Sequence, residues 1–284
     1  MKKNKILCFG TINPDLIYFI DSIPKSGGDI RSKDYQVRVG GTAINCAEKI
    51  VEWGFDAEIR GNSIGEDSLG SYVLEYADSS NILTGNVLIR KINTPTCSIL
   101  VDETGERTII SSGYSNLEWS NFQNLESFDS LIIDRYSIKF IGDQLKNIKS
   151  ENPNLFILQA GFETEINYVI DFLVVSKDEI TVQKTEELID SGLVKNILLT
   201  SSNLPARLIS QEGAIEIVPP DFKTINANGA GDTTAAYIGA FGTEDLLNTI
   251  KEACAAGAIV AGTTDFPDLE KIKDIAKLVE VKPR

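Results

Sequence analysis

The segment Ile6-Leu7-Cys8-Phe9-Gly10-Thr11-Ile12-Asn13-Pro14-Asp15 decides the fold class of this chain. Its first four residues form a short apolar run that ends at Gly10, which predicts a strand buried on both faces. In parallel α/β sheets, the loop after the first strand lies at the carboxyl edge, where ligands bind. We therefore expect Asn13 and Asp15 to lie in a ligand site, where the carboxylate of Asp15 can accept two hydroxyls of a polyol. The alternative is an ordinary turn aspartate.

Short apolar runs alternate with helical patterns along the rest of the chain, which predicts an α/β fold with a mainly parallel central sheet. Residues 43–53 place Ala43, Ile44, Ala47 and Ile50 on one face and precede Gly54, as expected of a helix and its C-terminal glycine. Four further buried strands are predicted at 131–133, 155–158, 172–175 and 197–199, and two further helices at 232–241 and 246–261.

Two stretches interrupt this alternation. Residues 16–20 and 30–39 have β character with no helix between them, and residues 96–110 read as a hairpin with a turn at 102–105. We expect these strands to form a small inserted β-sheet lid of residues 14–37 and 88–112, on a body of residues 1–13, 38–87 and 113–284. Exposed edges of such a sheet can pair between subunits, which suggests a homodimer through the lid.

Composition excludes several function classes. The chain has 284 residues, 42% of them apolar, and 27 Lys and Arg against 41 Asp and Glu give a net charge of −14. That charge repels nucleic acid and anionic membranes. There is no histidine, so carboxylates are the expected acid–base groups. Four widely spaced cysteines, and an apolar stretch near the N-terminus too short for a signal peptide, favour a reducing, cytoplasmic location.

The segment Gly229-Ala230-Gly231-Asp232 directly precedes a predicted helix. Adjacent backbone N–H groups at a helix N-terminus bind anions, and an aspartate there can accept a proton from an attacking hydroxyl. The alternative is a glycine turn with Asp232 as a plain N-cap.

A second glycine segment, Gly40-Gly41-Thr42-Ala43-Ile44-Asn45, precedes the first predicted helix. Two glycines let the backbone approach a ligand closely, and the Asn45 amide offers both a donor and an acceptor. The alternative is a flexible helix start with a polar residue in its first turn.

Four motifs in this order together resemble the ribokinase-like, or PfkB, family of carbohydrate and nucleoside kinases. They are Asn13-Pro14-Asp15, Gly40-Gly41-x-x-x-Asn45, Gly61-x-x-x-Gly65-x-Asp67-x-x-Gly70 and Gly229-Ala230-Gly231-Asp232. The resemblance covers nearly the whole chain and implies a three-layer ribokinase-like body, with ATP and Mg²⁺ as cofactors and a small sugar and a nucleotide as binding partners.

The resemblance also implies a role for each matching position. Asp232 corresponds to the catalytic base, and the backbone of Gly229, Ala230 and Gly231 to the anion hole for the γ-phosphoryl group. The residues implied to bind the sugar are Asn13, Asp15, Gly40, Gly41 and Asn45. Those implied to lie beside the nucleotide are Ser176, Glu179, Thr200, Ser202 and Asn228, with Glu179 also tied to the metal.

Three departures from the family pattern fall on the nucleotide side. The family's Asp-Thr-x before Gly-Ala-Gly-Asp is Asn226-Ala227-Asn228 here, its Asn-x-x-Glu motif is Ser176-Lys177-Asp178-Glu179, and its Thr-x-Gly is Thr200-Ser201-Ser202. The segments around Val175–Asp178 and Thr94–Cys97 are similar to ketohexokinases, which favours a ketose substrate. Three hypotheses therefore stand: a sugar kinase acting on a primary hydroxyl, a nucleoside kinase, and a non-catalytic sugar-binding or regulatory protein with a decayed nucleotide site.

Overall fold

The computed structural model describes residues 4–115, 117–201, 204–220, 229–263 and 266–283. The helices are α1 (Thr42–Glu52), α2 (Ser68–Ser79), α3 (Ile138–Glu151), α4 (Val182–Asp190), α5 (Ala230–Phe241), α6 (Leu246–Gly262) and α7 (Leu269–Ala276). The strands are β1 (Lys5–Gly10), β2 (Asn13–Phe19), β3 (Asp34–Gly40), β4 (Asp56–Gly61), β5 (Ile64–Gly65), β6 (Ile89–Arg90), β7 (Thr96–Val101), β8 (Arg107–Ser112), β9 (Ser130–Asp134), β10 (Phe156–Ala160), β11 (Ile170–Ser176), β12 (Val194–Thr200), β13 (Ala206–Ser210), β14 (Gly213–Val218) and β15 (Glu280–Pro283).

The central sheet has nine strands in the order β15-β14-β13-β12-β11-β10-β9-β1-β4. From β12 to β4 all neighbours pair in parallel, as predicted, whereas β13, β14 and β15 add an antiparallel edge. The three edge strands were not predicted from the sequence. They are short, and β13 and β14 join by a tight turn with no helix between them.

Helices cover both faces of this sheet, which gives the expected three layers. Alternate residues of β1 enter two different cores: Ile6 and Cys8 pack with α1, α5 and α6, whereas Leu7 and Phe9 pack with α3 and α4. A parallel strand buried on both faces has an almost continuously apolar sequence, which explains the run at the start of the chain. No helix in the described part of the chain has both the length and the apolar character needed to span a bilayer.

A second, four-stranded sheet has the order β3-β2-β7-β8 and confirms the expected small separate sheet. β2 pairs antiparallel with β3 and parallel with β7, and Asp15 lies between Arg38 and Cys97 in that register. Two expectations need correction. Asn13 and Asp15 lie in β2 and not in a loop, because the chain re-enters a sheet after only Thr11 and Ile12, and the strand expected at 30–39 begins at Asp34.

Candidate active site

The mouth of α5, its N-terminal end, provides backbone donors that have no partner among the described residues. Gly229 is the N-cap, in a left-handed conformation with φ 76°, and Asp232 lies in the first turn rather than at the cap. The first N–H groups of a helix have no acceptor within that helix, and glycine has no side chain to cap them. A Cβ built on Gly229 or Gly231 would meet no described atom within 4 Å. This geometry suits an anion.

The Asp232 carboxylate contacts the double-glycine segment, 187 residues away in the chain. Nδ2 of Asn45 donates a hydrogen bond to Oδ2 of Asp232 at 2.7 Å, and Sγ of Cys46 lies 3.4 Å from the Asp232 carbonyl oxygen. Burial raises the pKa of the Asp232 carboxyl, while hydrogen bonds from Asn45 and Thr42 oppose that shift. Asp232 remains partly exposed, so it is available to a ligand.

Gly41 lets the start of α1 pack directly on the segment after β1. It has φ 92°, and a Cβ there would lie 2.2 Å from the carbonyl oxygen of Thr11. The amide of Thr42 donates to the Thr11 hydroxyl at 3.2 Å, and the amide of Ala43 donates to the Thr11 carbonyl at 3.3 Å. At Gly40, a Cβ would lie 2.3 Å from the Asp15 carboxylate. The double glycine therefore brings α1, β1 and β2 together.

Asp15 is the second carboxylate of the site. Nδ2 of the buried Asn13 donates to Oδ1 of Asp15 at 2.7 Å. Burial raises the pKa of Asp15 to about 6; the hydrogen bond from Asn13 opposes the shift, and the negative charge of Asp232 adds to it. The two carboxylates are thus close enough to interact electrostatically. All three segments singled out in the sequence meet in one place.

Asp134, at the end of β9, was not singled out from the sequence. Its side chain is 1% exposed, and its Oδ2 accepts hydrogen bonds from the amide of Thr11 at 2.7 Å and the Thr11 hydroxyl at 2.9 Å. Its Oδ1 accepts from the amide of Ser137 at 2.8 Å. Asp134 therefore orients the loop between β1 and β2. An acidic residue directly after the apolar strand 131–133 was the signal that could have found it.

A cavity of about 310 Å³ opens between the mouth of α5 and the ends of β10, β11 and β12. Ser176, Glu179 and Thr200, expected beside the nucleotide, all line it, together with Gly229, Gly231 and Asp232. None of the residues expected to bind the sugar lines this cavity. They are connected to it by Asp232, which is hydrogen-bonded to Asn45, and by Thr42, which follows Gly41 in the chain. The expected residues Ser202 and Asn228 lie outside the described residues.

Glu179 has protein partners on both oxygens. Oε1 forms an ion pair with Nη1 of Arg135, and Oε2 accepts hydrogen bonds from the amides of Ser176 and Phe162, each at 3.3 Å. Arg135 also lines the cavity and was not singled out from the sequence. A basic residue just past the end of a buried strand was the available signal.

The site fits a metal carried by a substrate better than a resident metal. In the described ranges, no three Asp, Glu or Cys side chains come together as a cation cage, and two carboxylates, those of Glu179 and Asp232, line the cavity. Mg²⁺ keeps several waters and needs few protein ligands when it binds through substrate phosphates. The donors present therefore suit a magnesium ion that arrives with a triphosphate.

The chain matches the pfkB family of carbohydrate kinases over residues 3–266 and belongs to that family. Its members are phosphotransferases that act on an alcohol group. A ribokinase of Dictyostelium discoideum is 25% identical over 177 residues, 62% of this chain and 49% of that protein, so the match spans about half of the relative. A ribokinase of Arabidopsis thaliana is 23% identical over 312 positions, 97% of this chain and 81% of that protein.

Solved structures show the same fold. A ribokinase from Thermotoga maritima has a TM-score of 0.79 at 18% identity, covering 97% of this chain and 100% of that one. The Methanocaldococcus jannaschii nucleoside kinase, an archaeal member of the ribokinase family, has a TM-score of 0.77 at 20% identity, covering 98% and 99%. Arabidopsis thaliana ribokinase complexed with ribose and ATP has a TM-score of 0.78 at 18% identity, covering 98% and 99%. The fold is therefore ribokinase-like.

The ketohexokinase-like features find no support in these comparisons. None of the five proteins is described as a ketohexokinase. The short similarities around Val175–Asp178 and Thr94–Cys97 cover too few residues to outweigh whole-chain matches to ribokinases.

Proposed function

We propose that this protein transfers the γ-phosphoryl group of ATP to a primary hydroxyl of a small sugar. The observation that carries the proposal is the position of Asp232. Its carboxylate is hydrogen-bonded to Asn45 on one side and lines the cavity at the mouth of α5 on the other. A base that links the two ligand sites can receive the proton of a hydroxyl held beside a phosphoryl group.

On the sugar side, Asn13, Asp15 and Asn45 would hold ring hydroxyls, and the backbone of Gly40 and Gly41 would approach the ring. The hydrogen bond between Asn13 and Asp15 supports this assignment, because it orients a carboxylate that can accept two hydroxyls at once. Fixing the acceptor in this way can supply roughly 7–11 kcal/mol of the barrier.

On the nucleotide side, the backbone amides of Ala230 and Gly231, with Gly229 at the cap, would receive the γ-phosphoryl oxygens. Ser176, Glu179 and Thr200 would lie beside the phosphates, with Ser202 and Asn228 as further predicted contacts. Mg²⁺ bound to ATP neutralises phosphate charge. Glu179, with both oxygens engaged, would reach such an ion through water.

The chemical step moves one proton and one phosphoryl group. The acceptor oxygen forms a bond to the γ-phosphorus, the bond from that phosphorus to the bridging oxygen of ADP breaks, and ADP leaves with that electron pair. The hydroxyl proton passes to the Asp232 carboxylate. Burial that raises the pKa of Asp232 supports this role, because it makes the carboxylate a stronger base.

The small sheet would act as the lid over the sugar, with the boundaries expected above. Two observations support a homodimer through this sheet: its strands β3 and β8 are edges, and Tyr35, Ile109 and Ile110 on them are exposed. A cytoplasmic location agrees with the four free cysteines.

A coupled ADP-release screen tests the function. Sugars, including aldoses and ketoses, and nucleosides are offered with several nucleotide donors. Release of ADP with sugars supports the proposal, and release with nucleosides alone favours the nucleoside kinase. A thermal shift with sugar and none with Mg-ATP, without turnover of any acceptor, favours the non-catalytic protein.

The variant Asp232→Asn tests the base in the same assay. Its amide oxygen can still accept the Asn45 hydrogen bond but cannot take the proton, so we expect kcat to fall by about 10²–10⁴-fold. Asp143→Asn is the matched control, because Asp143 is exposed on α3 and pairs with Lys146. Near-normal turnover of Asp232→Asn would disprove the assignment of Asp232 as the base.

A further inference from the structure

The cavity wall contains one cationic side chain among the described residues that line it, that of Arg135. The roles proposed so far do not use it. Its guanidinium acts on the Asp232 carboxyl electrostatically and lowers the pKa of that group, against the larger effect of burial. A permanent positive charge therefore faces the same space as the proposed base and the amides of α5.

The path of the Arg135 side chain is set by the backbone opposite it. The Arg135 amide donates to the carbonyl oxygen of Ala160 at 2.9 Å, which holds the end of β9 against β10. Gly161, which follows Ala160 in the chain, has φ 82°. A Cβ at Gly161 would lie 2.8 Å from Cδ and 3.2 Å from Cγ of Arg135. A side chain at position 161 would therefore displace the arginine stem.

The guanidinium is held in place by two neighbours. Nη1 pairs with Oε1 of Glu179, and Nη2 donates to the hydroxyl of Tyr136 at 2.6 Å. Arginine has five N–H donors, so three remain without a partner among the described residues. Glu163 adds a further negative charge nearby. The group is half-buried, oriented and still able to bind an anion.

Glu179 is itself anchored to the backbone. Its second oxygen accepts from the amides of Ser176 and Phe162 at 3.3 Å. A carboxylate fixed in this way can hold a guanidinium in one orientation more readily than it can coordinate a metal directly. Ser176 stands where the family pattern has an asparagine tied to metal and phosphate, so a shorter hydroxyl replaces an amide on the nucleotide side.

We propose that Arg135 binds the γ-phosphoryl group of the donor and that Glu179 acts on it as a positioning residue. The proposal rests on the proposed kinase function. The planar fork of arginine matches phosphate oxygens, and a fixed cation stabilises charge spread over the oxygens of the transferred group. The ligand is on the donor side because Arg135 shares its cavity with Gly229, Gly231 and Thr200 but not with Asn13, Asp15 or Asn45.

The test compares Arg135→Gln and Arg135→Lys with the control Arg90→Gln. Arg90 also pairs with a glutamate, Glu118 at 2.7 Å, but lies outside the cavity. Calorimetry with Mg-ADP and with the magnesium complex of the non-hydrolysable analogue AMP-PNP separates contacts to the γ-phosphate from all other contacts. We expect Arg135→Gln to lose at least tenfold in affinity for AMP-PNP, with little change for ADP, while Arg90→Gln changes neither.

Steady-state kinetics give the second readout. We expect Arg135→Gln to lower kcat by roughly 10²–10³-fold with the sugar KM unchanged, as for the loss of one preorganised donor, and Arg135→Lys to recover part of the loss. Glu179→Gln should lower kcat less, and its effect should be smaller in the Arg135→Gln background than in the wild type, because part of the Glu179 effect passes through Arg135. Thermal unfolding identifies any variant that fails to fold, and Arg135→Lys then carries the test.

Three results would overturn the proposal: equal affinity losses for ADP and AMP-PNP, a loss confined to sugar binding, or a wild-type protein that binds neither nucleotide. The function and this inference fail separately. If no acceptor is phosphorylated but Arg135→Gln still selectively loses AMP-PNP, the γ-phosphate site stands and the proposed kinase function does not.

Discussion

Asp15 and Asp232 are two carboxylates of the same type with different proposed tasks. Burial raises the pKa of both carboxyl groups. In each case a hydrogen bond from a side-chain amide opposes that rise, from Asn13 at Asp15 and from Asn45 at Asp232. The amide in each pair keeps one carboxylate oxygen in a fixed direction. Because their charges interact, a proton gained by one makes ionisation of the other easier.

The raised pKa of Asp15 predicts a pH-dependent cost in stability. The pKa is about 6 in the folded protein, against 3.8 without the protein environment, so the folded state binds the proton more tightly than the unfolded state. The contribution of Asp15 to the free energy of unfolding is therefore greatest below about pH 4, decreases as pH rises to about 6, and is constant above that. The neutral variant Asp15→Asn removes this cost.

We expect Asp15→Asn to unfold at a higher temperature than the wild type. Its gain in free energy of unfolding should be larger at pH 7.5 than at pH 5.0 by about 1 kcal/mol. Thermal unfolding at both pH values measures it. The control is Asp143→Asn, whose carboxylate is fully in solvent and pairs with a lysine. A gain of the same size at both pH values would show that Asp15 does not titrate in this range.

Among the secondary-structure elements, α1 and α5 bring the site together. α1 starts at Gly41 against the Thr11 carbonyl and presents Asn45, and α5 starts at Gly229 and presents Asp232. The two helices pack against each other in the same core, so the Asn45–Asp232 hydrogen bond depends on the start of α1 staying close to β1.

Gly41→Ala is therefore expected to destabilise the fold and weaken the site, and Gly54→Ala provides the matched control. Both glycines have φ 92°, but a Cβ at Gly41 would lie 2.2 Å from a backbone oxygen, whereas at Gly54 it would meet nothing within 4 Å. A positive φ costs a residue with a side chain about 1–2 kcal/mol in the left-handed helical region, and the ψ of 142° at Gly41 adds to the strain there. We expect the free energy of unfolding, measured in urea, to fall by at least about 2 kcal/mol more for Gly41→Ala than for Gly54→Ala. Equal losses would show that the close approach at Gly41 is not needed.

The whole molecule consists of a large α/β body and a small sheet that carries Asp15. Asp15 lies in β2 of the small sheet and Asp232 lies in α5 of the large body. Both parts of the molecule therefore contribute to the proposed sugar site. Cys97 neighbours Asp15 in the β2–β7 register, so its side chain lies on the same face of the small sheet. Its thiol is partly buried, 3.7 Å from the Ser111 hydroxyl and 3.9 Å from the Tyr114 hydroxyl.

If the small sheet is the lid, bound sugar should protect Cys97 from alkylation. We expect iodoacetamide to label Cys97 several-fold more slowly when the preferred sugar is present, as measured by mass spectrometry of the labelled peptide. Cys254, partly buried on α6, is the internal control and should react at one rate throughout. Unchanged labelling of Cys97 at saturating sugar would contradict a lid that covers the site.

Local sequence patterns predicted much of the fold. The apolar run of β1, the one-sided apolar face of α1 and the hairpin of β7 and β8 each depend on neighbours within a few residues, so their signals are visible in short windows. The antiparallel strands β13 and β14 follow β12 closely in the chain and were simply not recognised, whereas β15 lies more than 60 residues after its partner β14. Pairing over that separation leaves no local signal.

The sequence by itself determined the fold class and the family and pointed to three segments of the proposed site, because glycine segments and strand ends have local signatures; it did not point to Asp134 or Arg135. Only the tertiary structure decided how those residues act together. It brought Asn45 to Asp232 over 187 residues, Asp134 to Thr11 over 123 and Arg135 to Glu179 over 44. The physical reason is that a hydrogen bond or ion pair depends on distance in space, which the packing of two helix layers on one sheet sets.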